Sequence, residues 1–376
     1  MAHYHLNLDS QQFLKQHWQQ QPLFVANAFS DFIDPITPDE LAGLALEPEA
    51  SSRVIVSENG DWRVVPGPVS DFEPFGDQNW QLLLQACNHF VPDAQALADC
   101  FDFLPQWRFD DLMASFATIG GGVGPHIDNY DVFIIQGSGR RRWQVGDKLS
   151  NQSRNTESGL DLVNDFTPII DVEMSPGDLL YIPKGYPHCG QTLTESQSYS
   201  VGFRSPSQQE LLSHLADHLL EHNLGQQRLE TRHQLGTEAH QLSKDHLAQM
   251  RELMQAAMDN EQMMSSLMGQ QLSQNRFELA LQPPELPYQT DDLLRLFDEG
   301  HHLHRIGGLK CLLSPAADAL FVDGDMHKLS KASRDGAELL AKQREITPEQ
   351  ALLVFANPEL REWLTEYVNL GYWYLE

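Results

Sequence analysis

The chain has 376 residues, enough for two or three domains, and 41% of them are hydrophobic, the proportion of an ordinary globular protein. Its 53 acidic and 25 basic residues leave a formal charge of −28, a field that repels nucleic-acid phosphate and attracts cationic partners. No apolar run approaches the ~20 residues of a membrane span, and the chain opens with neither the basic region nor the apolar core of a signal peptide, so the expectation is a cytoplasmic, soluble protein with no membrane partner and no direct nucleic-acid binding.

Residues 9–17 read as a short helix leading into a strand over 22–29. Thr37-Pro38-Asp39-Glu40 is a helix start, with Thr37 as N-cap and Glu40 completing a capping box. Residues 52–57 and 62–65 flank Glu58-Asn59-Gly60-Asp61 as a hairpin. Residues 80–90 are amphipathic and, with 94–103, read as helical. Residues 109–118 then feed a glycine run, Gly120-Gly121-Gly122-Val123-Gly124. That run lacks the lysine of a P-loop and the βαβ context of a dinucleotide fold, and reads as a loop bringing backbone close to a site.

Strand-like segments follow at 131–136, 140–145, 169–173, 178–182 and 198–203, with a polar, aperiodic insert at 152–164. Many short strands without intervening helices suggest a sandwich or small barrel. The four cysteines, Cys87, Cys100, Cys189 and Cys311, are scattered without a CxxC pair, as reduced thiols would be. From Ser205-Pro206 the character changes. Ser207-Gln208-Gln209-Glu210 is a capping box, followed by Leu211, Leu215 and Leu219 at helical spacing. Residues 238–258 repeat the signal with Leu242, Leu247, Met250, Leu253, Met254 and Met258, a stripe that packs back on the barrel or meets a second subunit.

Pro283-Pro284-Glu285-Leu286-Pro287 is a linker. Beyond it come a helix at 291–297, a strand at 309–313, a hairpin through Val322-Asp323-Gly324-Asp325, and two helices, the second opened by a capping box at Thr347. Helices around a small hairpin suggest a winged helix. From residue 270 onward ten Lys and Arg face seventeen Asp and Glu, without the basic stripe of a DNA reader, so this module suits protein contacts. The cluster His301-His302-Leu303-His304 has no companion Cys or carboxylate at metal-site spacing and reads as surface.

The chemistry centres on His126-Ile127-Asp128. Side chains two apart on a strand share a face, so His126 and Asp128 can reach one metal, with His188 as third ligand. Two histidines and one carboxylate make the facial triad of non-haem Fe(II) oxygenases. In residues 140–145 strand parity sets Arg140, Arg142 and Gln144 on one face and Arg141, Trp143 and Val145 on the other. The face with Trp143 and Val145 is the buried one, so Arg141 is driven inward. A lone inward guanidinium costs several kcal/mol unless an anion meets it. The distal carboxylate of 2-oxoglutarate fits that role, and an internal Asp or Glu is the alternative.

These residues, together with 39–45, 120–143, Pro176-Gly177-Asp178 and 199–204, resemble the bacterial ribosomal oxygenases of the Jumonji-C class over nearly the whole chain. The resemblance implies an α+β chain: a double-stranded β-helix (cupin-type barrel) over 1–205, a helical dimerisation segment over 206–269 and a winged-helix-like domain over 270–376. It implies His126, Asp128 and His188 as Fe(II) ligands and Arg141 and Ser115 as 2-oxoglutarate contacts, Ser115 resting on the resemblance alone. It further implies O2 as co-substrate, a homodimer, and hydroxylation of an arginine on the sixteenth protein of the large ribosomal subunit. Alternative readings are a histidyl hydroxylase acting on another ribosomal protein, a non-oxidative cupin-type metal enzyme, and a silent binding module.

Overall fold

The computed structural model describes residues 4–58, 60–148, 162–230 and 240–376. Asp9 caps α1 (Ser10–Gln16) by accepting the Gln12 N–H. Strand β1 (Leu23–Val25) is shorter than the sequence suggests because Asn27 turns the chain at φ +51°. Thr37 opens α2 (Pro38–Leu44) with the expected capping box, and β2 (Ser52–Glu58) and β3 (Asp61–Pro66) form the expected hairpin.

The helix expected over 80–90 is instead strand β4 (Trp80–Leu84), followed by a single 3-10 turn at Cys87–His89. An unbroken apolar run suits a fully buried strand as well as a helix. Here β2 and strand β5 (Phe109–Ala117) flank it on both sides, and all five residues are buried. Helix α3 (Pro92–Asp99) starts two residues before the expected one and ends four before it.

Then come β6 (Asp131–Gln136), β7 (Arg141–Gly146), β8 (Pro168–Met174), β9 (Leu179–Ile182), β10 (His188–Thr192) and β11 (Ser196–Phe203). Eight strands pair in the order β1-β9-β6-β11-β5-β4-β2-β3, and three in the order β10-β7-β8. Alternation along β6 divides the barrel from its buttress. Val132 and Ile134 meet Trp143, Val145, Met174, Leu180 and Ile182 between the two sheets, while Phe133 and Ile135 join the core that holds Phe13 of α1 and Leu97 of α3. This is the double-stranded β-helix. Most of the polar insert, through residue 161, lies outside the described residues, as do residues 231–239 of the helical segment.

Helices α4 (Gln208–Glu221), α5 (Lys244–Met258) and α6 (Glu261–Ser273) follow, α4 with the capping box expected at Ser207. The sequence pattern did not distinguish α6, which runs across the 269/270 boundary drawn from it. Gly269 of α6 sits against the Phe321 ring with no room for a Cβ. The C-terminal region continues through α7 (Thr290–Asp298), β12 (Leu303–Arg305), β13 (Cys311–Leu313), β14 (Ala319–Val322), β15 (Asp325–Lys328), α8 (Arg334–Lys342), β16 (Glu345–Ile346), α9 (Pro348–Phe355), α10 (Pro358–Asn369) and β17 (Trp373–Leu375). The hairpin at Asp323-Gly324 is the wing, in the sheet β13-β14-β15. A second sheet, β16-β12-β17, escaped the sequence reading, and so did α10. That sheet corrects the surface reading of the histidine cluster, since His304 lies in β12 and is 6% exposed. No helix among the described residues is long and apolar enough to cross a membrane.

The barrel depends on the ring cluster behind β6. Phe133 is fully buried, with ring centroids 4.5 Å from Phe101, 4.8 Å from Tyr181 and 5.4 Å from Phe13. Phe133→Ala is expected to lower unfolding free energy by about 3–5 kcal/mol in urea titrations. A loss below ~1 kcal/mol would mean that this cluster does not support the sheet.

Candidate active site

His126 reaches its position through a tight backbone fit. Gly124, at φ +82°, turns the chain against the Trp62 ring, and Gly122 passes so close to the Gly190 carbonyl that no Cβ fits. The segment at His126 is not the regular strand that parity assumed. It makes isolated bridges to Leu162 and His188, with His126 N–H donating to His188 O at 3.0 Å and His188 N–H to His126 O at 2.9 Å. This reciprocal pair clasps the two histidines together, with ring centroids 4.2 Å apart.

The structure brings His126, Asp128 and His188 together: Asp128 Oδ2 lies 3.4 Å from His188 Nε2 and 3.9 Å from His126 Nε2. Each imidazole is held from behind, His126 Nδ1 by Gly124 O at 2.8 Å and His188 Nδ1 by Tyr186 O at 3.1 Å. Donation from Nδ1–H turns Nε2 of each ring toward Asp128, where a metal can take the place of a proton. Burial pushes the Asp128 carboxyl up, but the hydrogen bond from His188 and the two imidazoles outweigh it and hold it below the ordinary carboxylate range. One carboxylate and two oriented imidazoles fit a divalent transition metal with positions left open.

Arg141 is 2% exposed, on the inner face as parity required. Its Nε donates to Ser196 Oγ at 2.8 Å, Nη1 to Ser198 Oγ at 2.8 Å and Ser115 Oγ at 3.1 Å, and Nη2 to Ser196 O at 2.9 Å. Among the described residues no carboxylate pairs with it, so the internal Asp or Glu partner is not found there. Burial lowers its pKa to about 9. Two further polar atoms of β7 and β10, Trp143 Nε1 and Thr192 Oγ1, are buried and have no partner among the described residues, the latter directly opposite Arg141 in register. An acceptor-rich dianion fits this end of the site.

The triad and Arg141 line one cavity of about 210 Å³, with Ser115, Ser198, Tyr130, Arg53 and Trp143 in its walls. Ser196 and Ser198 were missed from sequence, although the period-two spacing of Ser196, Ser198 and Ser200 on a strand was a visible signal. Of the polar residues next to the triad, Tyr130 faces the cavity. Asp131 does not: it is fully buried, accepting from Tyr181 Oη at 2.9 Å, Gln19 Nε2 at 2.9 Å and Arg108 Nη2 at 3.3 Å. Burial first, then the carboxylates of Asp128, Asp111 and Asp110, keep the Tyr130 hydroxyl protonated.

A double-stranded β-helix with a His-X-Asp…His cluster and a buried arginine in one cavity defines a Jumonji-C-type oxygenase. The JmjC domain family matches residues 96–211 and the ROXA-like winged helix matches 252–374. The ribosomal protein uL16 3-hydroxylase of Escherichia coli is 41% identical over 375 residues, covering 99% of both chains. The solved structure of E. coli YcfD superimposes with a TM-score of 0.93 at 40% identity over 100% of both chains, and that of YcfD, a ribosomal oxygenase, in complex with cobalt and 2-oxoglutarate with 0.89 at 40% identity over 99% of both. The chain belongs to the JmjC ribosomal oxygenases, enzymes that depend on Fe(II) and 2-oxoglutarate.

The lowered pKa of Arg141 has a measurable sign. A bound carboxylate restores its ordinary basicity, so the complex holds a proton that the free enzyme releases as pH rises through about 9. Above that pH, affinity for 2-oxoglutarate, followed by calorimetry, should fall toward about tenfold per pH unit. Arg141→Ala should bind about tenfold or more weakly and lack this decline. A wild-type profile in that variant would assign the carboxylate to another group, Arg53 of the same cavity first, and not to Arg140 or Arg142 on the outer face.

Proposed function

We propose that His126, Asp128 and His188 hold Fe(II), that Arg141 and Ser115 bind the distal carboxylate of 2-oxoglutarate, and that the substrate is an arginine side chain of the sixteenth large-subunit ribosomal protein. The observation that carries the co-substrate reading is Arg141, a buried cation in the same cavity as the triad that no carboxylate among the described residues pairs with. Iron, when bound, supplies the redox chemistry that couples decarboxylation to attack on an unactivated C–H bond. The overall change balances: substrate C–H, O2 and 2-oxoglutarate give C–OH, succinate and CO2.

The chain's own residues bind and orient. Arg141 and its serines fix the far end of the dicarboxylate, so its keto-acid end meets the triad in one pose. Trp143 and Val132 wall the cavity against water. The formal charge of −28 and the carboxylates around Tyr130 favour a cationic substrate, and the E. coli relative is named for hydroxylating uL16. Such a substrate is met in the cytoplasm.

The test is mass spectrometry of a uL16 peptide after turnover. One arginine should gain a single oxygen atom, and the matched lysine peptide should react poorly because an ammonium lacks the planar fork. His126→Ala and Asp128→Ala should abolish succinate release with the fold intact. Equal or better oxidation of histidine peptides from other ribosomal proteins would overturn the arginine assignment and leave the oxygenase standing.

We further propose a homodimer through α4 and α5. Leu220 is 80% exposed, Met254 63% and Leu212 51%, and an apolar groove of about 790 Å³ runs past Leu215, Leu219, Met254 and Met258. A helix of that length with such a face leaves apolar area that a second copy would cover. Leu247→Asp with Met254→Asp should sediment as a folded monomer. A dimer that survives both changes places the interface elsewhere.

A further inference from the structure

The second sheet of the C-terminal domain gathers side chains that the barrel chemistry does not use. Register in β16-β12-β17 sets His304 opposite Glu345 on one side and Tyr374 on the other, and the backbone pairing continues from His302 to Glu376. By parity His302, His304, Glu345, Tyr374 and Glu376 share one face. Ligand atoms of His302, His304 and Glu345 lie within 4.8 Å of one another. Glu345 stands 43 positions from His302, which is why no spacing in the sequence announced it.

We propose that His302, His304 and Glu345, with Glu376 as fourth donor, form a second metal site, one for a divalent ion of zinc-like preference. An ion pair alone explains only part of the geometry. His302 Nδ1 and Glu345 Oε1 meet at 2.8 Å, a contact that any surface pair could make. The side chain of His304 is only 7% exposed, and its Nε2 points at Glu376 Oε2 from 4.0 Å, beyond hydrogen-bond reach. A bridging ion closes that gap. The Tyr374 ring stacks on His304 at 5.4 Å and 22°, fixing the imidazole plane with its nitrogen directed outward.

The donor set argues for the class of ion. Two imidazoles and two carboxylates are borderline donors, and with neutral histidines they balance a 2+ charge. In a tetrahedral zinc site neighbouring donors lie roughly 3.3 Å apart, as metal–ligand lengths of ~2.0–2.1 Å require. His302 and Glu345 are already near that spacing, and Glu376, 72% exposed, is free to swing in. Bound there, the ion would clamp β16 and β17 to β12. The site shares no ligand with the triad, so it would support the domain rather than the oxidation.

The test uses the full-length chain carrying His126→Ala and Asp128→Ala, stripped with chelator so that the triad cannot compete. Titration with zinc chloride should show one bound equivalent and a raised unfolding temperature, and cobalt(II) chloride should give the intense visible bands of tetrahedral coordination. Adding Glu345→Gln or His302→Ala should weaken zinc binding at least about tenfold and abolish the bands. Both positions are partly exposed, so the folded state should survive even where His304→Gln does not fold. No zinc binding above background in the triad variant would overturn the proposal, and so would undiminished binding in Glu345→Gln.

Discussion

Arg141 ties the two sheets of the barrel together. Its backbone belongs to β7 in the three-stranded sheet, while its guanidinium reaches across to Ser115 on β5 and Ser196 and Ser198 on β11 in the eight-stranded sheet. Hydroxyls satisfy its donors without neutralising its charge. Desolvating an unpaired cation costs several kcal/mol even after hydrogen bonding, and the packing of Trp143, Val145 and Ile182 between the sheets must offset that cost. A carboxylate partner from the chain would have left no charge for an anion to meet. Held by hydroxyls alone, the guanidinium can still receive one.

The triad rests on a different constraint. Metal ligands that approach one another before metal arrives repel or need protons, so side chains alone do not gather them. Here the backbone does it. Reciprocal hydrogen bonds between residues 126 and 188 fix two histidines that lie far apart in sequence, and carbonyls at Gly124 and Tyr186 fix their ring planes. Glycine at 122 lets the loop come this close to β10, and glycine at 190 leaves room for the Trp143 ring. Ligand geometry thus depends on loop sterics as much as on strand parity.

What the sequence revealed follows the same division. Parity found Arg141 because Trp143 and Val145 mark their face without ambiguity, and caps at Thr37, Ser207 and Thr347 were legible because each uses a local side-chain bond. Residues 80–84 misled because a strand buried on both faces has no alternation to show, and the neighbours that bury it lie elsewhere in the chain. The serine cage and Glu345 were hidden for a related reason: their meaning depends on register between strands distant in sequence. Asp131 shows the converse: three positions after the triad carboxylate, it is turned away and held by Tyr181, Gln19 and Arg108.

The C-terminal domain is seated directly on the barrel. Arg344 Nε reaches Asp99 Oδ1 at 2.7 Å, Gly308 N–H donates to Gln95 Oε1 at 2.7 Å, Cys311 N–H to Gln106 Oε1 at 2.9 Å, and Arg276 Nη1 to Asp110 Oδ2 at 2.9 Å. Gly307 lies so close to Asn88 O that no side chain fits. These ties hold Arg344 and Arg276 against carboxylates and anchor the domain on α3 and β5, the strand that also carries Ser115. Backbone donors bound by glutamine carbonyls hold orientation more strictly than exposed ion pairs do. The winged helix is therefore built onto the barrel as a fixed wall.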